Sequence, residues 1–224
     1  MTGPMAPAAR PPQMPRLPAQ RPASARLRLV RLHLLSRRIP AAIVALAGCA
    51  IGLRIALHWH WDTYGALQLP LIFETGCAAV ITLVTASPLG EPERVTGRRL
   101  PLLRLSTTLA LTALAFGALA AVAAGAHLAG GNAEVLRNLA GITGIGLLCA
   151  AALGGALAWA GPLAYMVAGA YGLYADWHGP PLTTPWLWPA RPAHDAGAAL
   201  CAGLVWAAGV AVITARGARD PAGE

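Results

Sequence analysis

Apolar stretches of about twenty residues recur along this chain and are separated by short polar segments. The four clearest stretches cover residues 40–59, 66–86, 105–128 and 196–215. A helix rises about 1.5 Å per residue, so each stretch is long enough to cross a hydrocarbon layer of about 30 Å. Only 12% of the residues are charged, whereas about 25% are charged in an average soluble domain. The sequence therefore excludes a soluble globular enzyme and predicts an all-α, polytopic membrane helix bundle.

Residues 139–175 form a further apolar stretch, which is too long for one straight helix. At a minimum of about 17 residues per crossing, it is only just long enough for two helices. Gly154 and Gly155 divide it evenly. Gly161 followed by Pro162 is instead typical of a helix end and restart, and would leave a short fifth helix. Both break points stay open, and both give about six transmembrane helices.

The basic residues indicate how the spans are oriented. All 17 are arginines. With six spans, the arginines before residue 39, those between the second and third spans and those after the last span lie on one side. Only Arg137 and Arg191 lie in loops on the other side. Because short arginine-rich loops stay in the cytoplasm, we expect a multi-pass protein of the cell (plasma) membrane with both termini cytoplasmic.

The segments outside the spans have compositions of their own. Residues 1–25 are rich in proline, alanine and arginine, which is typical of a disordered tail. We expect a six-span domain over residues 26–218, with a cytoplasmic loop at 87–106 and an outer cap at 176–195, followed by a cytoplasmic tail at 219–224. The cap is rich in proline and tryptophan and too polar to span, and it lies where it would cover an exit path.

Leucines and arginines alternate at helical spacing just before the first span, in residues 25–38. This pattern predicts an amphipathic interfacial helix, with its leucines in the acyl boundary and its arginines at anionic headgroups. The basic face consists of Arg28, Arg31, Arg37 and Arg38. An ordinary basic stretch beside the membrane explains the same residues equally well.

Two ionisable residues, Arg54 and Glu74, fall at membrane depth in the first and second spans. Counted from the same membrane face they lie about six and about eight residues deep, so we expect them to form an intramembrane ion pair. Such a pair either holds adjacent helices together or lies on a substrate pathway. The structural role is the simpler explanation, because removing one partner would leave the other charge uncompensated.

The loop between the second and third spans is framed by prolines and carries both signs of charge. It is long enough for a short helix parallel to the membrane, which could dock a partner protein. A solvated, positively charged loop fits equally well. The docking segment would contain Glu91, Glu93, Arg94, Arg98 and Arg99.

Several function classes lack the residues that they require. The sequence has no lysine, which excludes a P-loop nucleotide site and a Schiff-base mechanism. Its four cysteines lie in apolar runs without metal-ligand or redox spacing, so we expect them to be packing residues. No H-E-x-x-H or G-x-S-x-G motif is present. We therefore expect no enzyme activity, no catalytic residue, no metal and no cofactor.

The expected partners follow from the same distribution of residues. The arginines are placed as topology requires and few aromatic residues lie among them, so we expect contact with the lipid bilayer and not with nucleic acid. Gly48 and Gly52 have the spacing of a helix-dimer motif. Small residues also pack helices within one chain, so this spacing is weak evidence for a homodimer or hetero-oligomer.

Taken together, these features resemble an ABC exporter permease subunit of the second type, over residues 27–218. The resemblance rests on the basic helix before the first span, the six spans, the proline-framed loop and the outer cap. It implies that residues 27–38 form an elbow helix, that residues 91–99 form a coupling segment on a separate ATPase, and that two permeases form the path. The strings RNLAGITGIGLL and TTPWLWPARPAHD, at 137–148 and 183–195, are also similar to actinobacterial multi-span integral membrane proteins.

Two functions are consistent with this sequence. The first is a permease subunit of an ATP-driven transporter that exports a hydrophobic or amphipathic compound, with ATP hydrolysed by a separate ATPase. The alternative is a non-transporting integral membrane assembly or immunity factor, whose spans only pack against a partner. No residue string is specific to a substrate.

Overall fold

The computed structural model of the protein describes residues 39–59, 63–85, 100–125, 131–178 and 184–219. Within these ranges the chain is helical and forms no strands, which confirms the predicted all-α bundle. In the described part of the chain, six helices are long and apolar enough to cross a membrane, the fifth together with the turn before it. They are α1 (Ile39–His58), α2 (Thr63–Thr85), α3 (Leu100–Ala124), α4 (Gly131–Leu153), α5 (Ala160–His178) and α6 (Ala196–Arg216).

Helix α4 is the centre of the bundle and is packed against α2, α3, α5 and α6. It is buried along most of its length, with Leu139, Ile142 and Leu147 completely enclosed. The other helices expose large apolar side chains, for example Val44 at 72% and Leu204 at 70%. Apolar faces of this extent are typical of helices that contact lipid.

Close approach of α4 and α6 depends on two glycines. A Cβ atom at Gly144 would lie 2.6 Å from the backbone of Trp206, and one at Gly209 would lie 2.6 Å from the carbonyl oxygen of Gly144. In a membrane, small residues allow the backbones to approach and increase van der Waals contact. Gly52 similarly contacts the ring of Phe73 in α2, whereas Gly48 faces open space. The Gly48/Gly52 spacing is thus used partly within the chain.

The long apolar stretch breaks at Gly154. Helix α4 ends at Leu153, Gly154 has a φ of 95°, and a single 3₁₀ turn follows over Gly155–Leu157. A positive φ of this kind is accessible to glycine and strained for other residues. Helix α5 then starts at Ala160, so Pro162 lies in its first turn, where its missing N–H is not needed. The fifth helix has 19 residues and is not short.

Two boundaries differ from the sequence expectation. Helix α3 begins at Leu100, so the predicted loop at 87–106 overlaps its first two turns. Pro101 is compatible with a helix start, because the first N–H groups of a helix have no internal partner. Helix α4 begins at Gly131, eight residues before the predicted apolar stretch, and it therefore includes Glu134 and Arg137. Arg137, which we expected in a loop, lies inside the bundle.

Candidate functional site

The end of the bundle at which α2, α4 and α6 begin is covered by part of the predicted cap. We call residues 184–195 the cap segment and this end of the bundle the cap end. The cap segment contains one 3₁₀ turn, Trp188–Ala190, and its four residues from Leu187 to Ala190 are buried. The predicted cap began at residue 176, but α5 continues to His178. The cap segment is thus inserted into the helices.

Trp188 is the anchor of the cap segment and is only 2% exposed. Its indole stacks on Tyr165 of α5, with ring centroids 4.5 Å apart. The Tyr165 hydroxyl donates a hydrogen bond of 2.8 Å to the carbonyl oxygen of Trp186. This arrangement buries a large apolar ring and fixes the backbone beside it.

Glycines on α4 and α5 provide the space that the cap segment fills. A Cβ atom at Gly141 would collide with the indole of Trp188, and one at Gly172 would collide with the side chain of Leu187. Gly169 lies against Pro189 in the same way, with 3.2 Å between the added Cβ and the proline ring. The bundle surface is therefore shaped to receive this segment.

Arg137 of α4 joins the buried helix to the cap segment. Its Nη1 donates a hydrogen bond of 2.8 Å to the carbonyl oxygen of Pro192, and its Nη2 donates one of 3.1 Å to that of Arg191. Its Nε lies 3.3 Å from Oδ1 of Asn138 and donates to it. The residue is 5% exposed, and Glu134 lies 4.0 Å from Nη2. Since guanidinium keeps its charge, these acceptors compensate a permanent buried cation.

The start of α6 is fixed by Asp195. One carboxylate oxygen accepts a hydrogen bond of 2.9 Å from the backbone N–H of Ala198, which makes Asp195 the N-cap residue. The other oxygen pairs with the guanidinium of Arg191, whose Nε donates at 2.7 Å. The Ala198 N–H and then the Arg191 guanidinium hold the pKa of Asp195 below its ordinary value.

Glu74 of α2 is the most unusual polar residue in the described ranges. It is 1% exposed, and neither of its carboxylate oxygens accepts a hydrogen bond. The polar groups that act on it belong to α4 and are Glu134, Asn138 and Arg137. The Asn138 amide faces the carboxylate without donating a hydrogen bond of normal geometry. We call Glu74, Glu134, Arg137 and Asn138 the polar cluster.

The predicted ion pair between Arg54 and Glu74 is not formed. Arg54 lies on the exposed face of α1, and its Nη1 would be 3.0 Å from a Cβ atom on Gly125 at the end of α3. Its neighbour Leu53 is the buried residue, at 1% exposure. Similar depth in the membrane is not enough to bring two side chains into contact, because adjacent residues on a helix point about 100° apart. Arg137 is the arginine whose charge acts on Glu74.

A helical pattern that reaches beyond the apolar stretch would have found Arg137. Glu134, Arg137 and Gly141 recur at helical spacing from before the apolar stretch into it. The charge at Arg137 led to its assignment to a loop, because isolated charges are rare in spans. The structure instead buries the residue where backbone carbonyls of the cap segment reach it.

The thiols of Cys49 and Cys77 face each other where α1 packs against α2. All four cysteines are free, and Cys77 is 1% exposed. The spacing in the sequence gave no indication of this proximity. Within the described ranges, no three His, Cys, Asp or Glu side chains are grouped as metal ligands would be.

Two groups of predicted residues lie outside the described ranges. They are the basic face of the interfacial helix at Arg28, Arg31, Arg37 and Arg38, and the docking segment at Glu91, Glu93, Arg94, Arg98 and Arg99. The tails at 1–25 and from residue 220 onward also lie outside them. The described part of the candidate site is therefore the polar cluster with the cap segment.

Comparisons with known proteins do not assign this chain to a family. No protein-family model, no curated protein and no solved structure matches the chain.

Proposed function

We propose that this chain is the membrane permease subunit of an ATP-driven transporter, and that it exports a hydrophobic or amphipathic compound together with a separate ATPase. The observation that carries the proposal is the bundle of six apolar helices with charged residues buried beneath a cap segment at one end. Ionisable residues inside a membrane domain are costly and mark functional positions by default.

The energy for transport would come from ATP hydrolysis by another polypeptide. The sequence has no lysine and hence no P-loop. We assign contact with that ATPase to residues 91–99 and to the basic helix before α1, as in ABC exporter permeases of the second type. The arginine distribution supports this, because both segments are rich in arginine and short arginine-rich segments stay in the cytoplasm.

We place the path for the compound between two permease chains. In the described part of one chain, α4 fills the space between the surrounding helices, and its core residues are completely enclosed. The exposed apolar faces of α1 and α6, with Val44 and Leu204 as their most exposed large residues, are available to a second copy or a sister subunit.

Copurification tests this proposal. The protein is extracted gently from its own cells, and the preparation is examined for a bound ATPase and for ATP turnover. Alanine at Glu91 and Arg98 is expected to reduce binding and turnover, whereas alanine at His194, an exposed residue of the cap segment, should leave both unchanged. A stable preparation without ATPase contradicts the proposal.

A non-transporting assembly or immunity factor is the second candidate. The observation that favours it is the attachment of the cap segment to the bundle, in which Trp188 stacks on Tyr165 of α5 and Arg137 of α4 donates to the Pro192 carbonyl. This candidate predicts a stable complex with another membrane protein and no ATP-dependent movement of any compound in reconstituted vesicles.

A further inference from the structure

Glu74 has the surroundings of a proton-binding group. Both carboxylate oxygens are buried and accept no hydrogen bond, and the side chain is enclosed within the bundle core. An ionised carboxylate without donors is very unfavourable in a medium of low dielectric constant, because it loses the hydration that stabilises its charge. Something must therefore compensate the carboxylate or remove its charge.

Among the described residues, the one neighbouring charge of opposite sign, Arg137, acts on Glu74 only at a distance. Arg137 directs its hydrogen bonds to Asn138 and to the two cap-segment carbonyls, and it donates none to Glu74. Glu134 has the same sign of charge as Glu74 and opposes its ionisation. The polar cluster thus leaves the carboxylate of Glu74 without a direct partner.

The remaining titratable groups around Glu74 are few. Cys77 lies one turn along α2, and Cys49 reaches it from α1. On α5, Tyr165 lies near Arg137. The charged residue of α3, Arg104, lies at the opposite end of the bundle against Gly217. None of these supplies a positive charge to Glu74.

A metal or an organic cation does not fit this position. Hard divalent cations require several oxygen ligands, and the described residues contain no group of three metal-binding side chains. An organic cation needs space, whereas Glu74 is 1% exposed among core residues such as Leu71 and Ala78. A proton needs neither.

We propose that Glu74 is a proton-binding site in the cap-end half of the bundle, and that Glu134 is the group through which water at the cap end exchanges protons with it. The side chain of Glu134 is 29% exposed, lies one helical turn before Asn138 on α4, and its charge opposes that of Glu74. A proton from water binds the Glu134 carboxylate and passes to an oxygen of Glu74. Glu74 becomes a neutral carboxyl group and Glu134 regains its negative charge.

Infrared spectroscopy of the full chain in lipid nanodiscs tests this site. The wild-type protein at neutral pH is expected to show the carbonyl band of a protonated carboxyl group, and Glu74→Gln is expected to lose it. Glu134→Gln should retain the band, and so should Glu74→Asp, which keeps the carboxyl group. A wild-type protein without the band, or Glu74→Gln with the band unchanged, overturns the proposal.

Exchange in heavy water tests the route. The deuterium shift of this band should be at least several-fold slower in Glu134→Gln than in wild type, and the same rate in both excludes Glu134 from the route. The pH dependence of the band provides a test on the wild-type chain alone. The band should persist at neutral pH, where a solvated carboxyl group is ionised, and a band that appears only in acid contradicts the proposal even if a substituted chain fails to fold.

Discussion

The guanidinium of Arg137 donates a hydrogen bond of 2.8 Å to the carbonyl oxygen of Pro192, 55 residues further along the chain. This contact joins the most buried helix to the cap segment. A second bond to the carbonyl of Arg191 makes the attachment bidentate. The cap segment is thus held by a permanent and buried charge.

Loss of this charge should detach the cap segment. We expect Arg137→Gln to destabilise the protein by about 3 kcal/mol, because two carbonyls of the cap segment lose the buried, charged donor that holds them. Arg137→Lys keeps the charge without the planar fork and should fall between this variant and wild type. Thermal unfolding in detergent measures the stability, and labelling of a cysteine placed at the buried Ala190 measures cap exposure. Wild-type values for Arg137→Gln in both assays would show that the contact is unimportant.

Gly141, which contacts Trp188, and Gly48, which faces open space, provide a matched pair of positions for alanine substitution. Gly141→Ala places a methyl group where the indole lies, and such overpacking should cost about 1–3 kcal/mol. Gly48→Ala faces open space and should remain within about 1 kcal/mol of wild type, with helix propensity in its favour. Unfolding midpoints of the two variants provide the comparison. Equal effects would contradict the placement of Trp188 against α4.

Ionisation of Asp195 should make the start of α6 sensitive to acid. Its pKa is lowered in the folded chain by the Ala198 N–H and by Arg191, so its contribution is complete above the unfolded-state pKa and is lost as the pH falls through the folded-state value. Asp195→Asn retains an N-cap acceptor without charge. The difference in unfolding midpoint between wild type and this variant should therefore be largest near neutral pH and vanish in acid. A difference that stays constant with pH would refute this.

The two cysteines between α1 and α2 should react with each other. With Cys149 and Cys201 replaced by alanine, oxidation by copper phenanthroline is expected to join Cys49 to Cys77 within one chain, because their thiols face each other. Mass spectrometry detects the loss of two hydrogens, and Cys77→Ala is the control. If oxidation gives only dimers linked through these residues and no disulfide within one chain, then α1 and α2 do not pack with these two thiols face to face.

A double-mutant cycle distinguishes the predicted ion pair from the arrangement in the structure. Arg54 is exposed on α1, so its replacement by glutamine should add independently to Glu74→Gln, with a coupling below about 0.5 kcal/mol. The same cycle with Asn138→Ala should show coupling of about 1 kcal/mol or more, because the Asn138 amide faces the Glu74 carboxyl group. A strong coupling of Arg54 with Glu74 would instead support the ion pair predicted from the sequence.

The sequence by itself determined the class of fold. Lipid cannot hydrogen-bond to exposed backbone, so long apolar stretches must form helices, and this requirement depends only on local composition. The six helices follow from it, and the break at Gly154 was one of two positions that the glycines indicated. Boundaries were less certain where a helix contains charges, as at the start of α4.

Only the tertiary structure decided which polar groups meet. Depth in the membrane can be counted along a sequence, but the rotation of each helix depends on how its side chains pack against all its neighbours. That rotation turned Arg54 outward and brought Arg137 to Glu74. The insertion of the cap segment depends likewise on glycines of α4 and α5 that lie far from it in the chain. Contacts between residues far apart in the chain arise from this collective packing, which a local pattern does not contain.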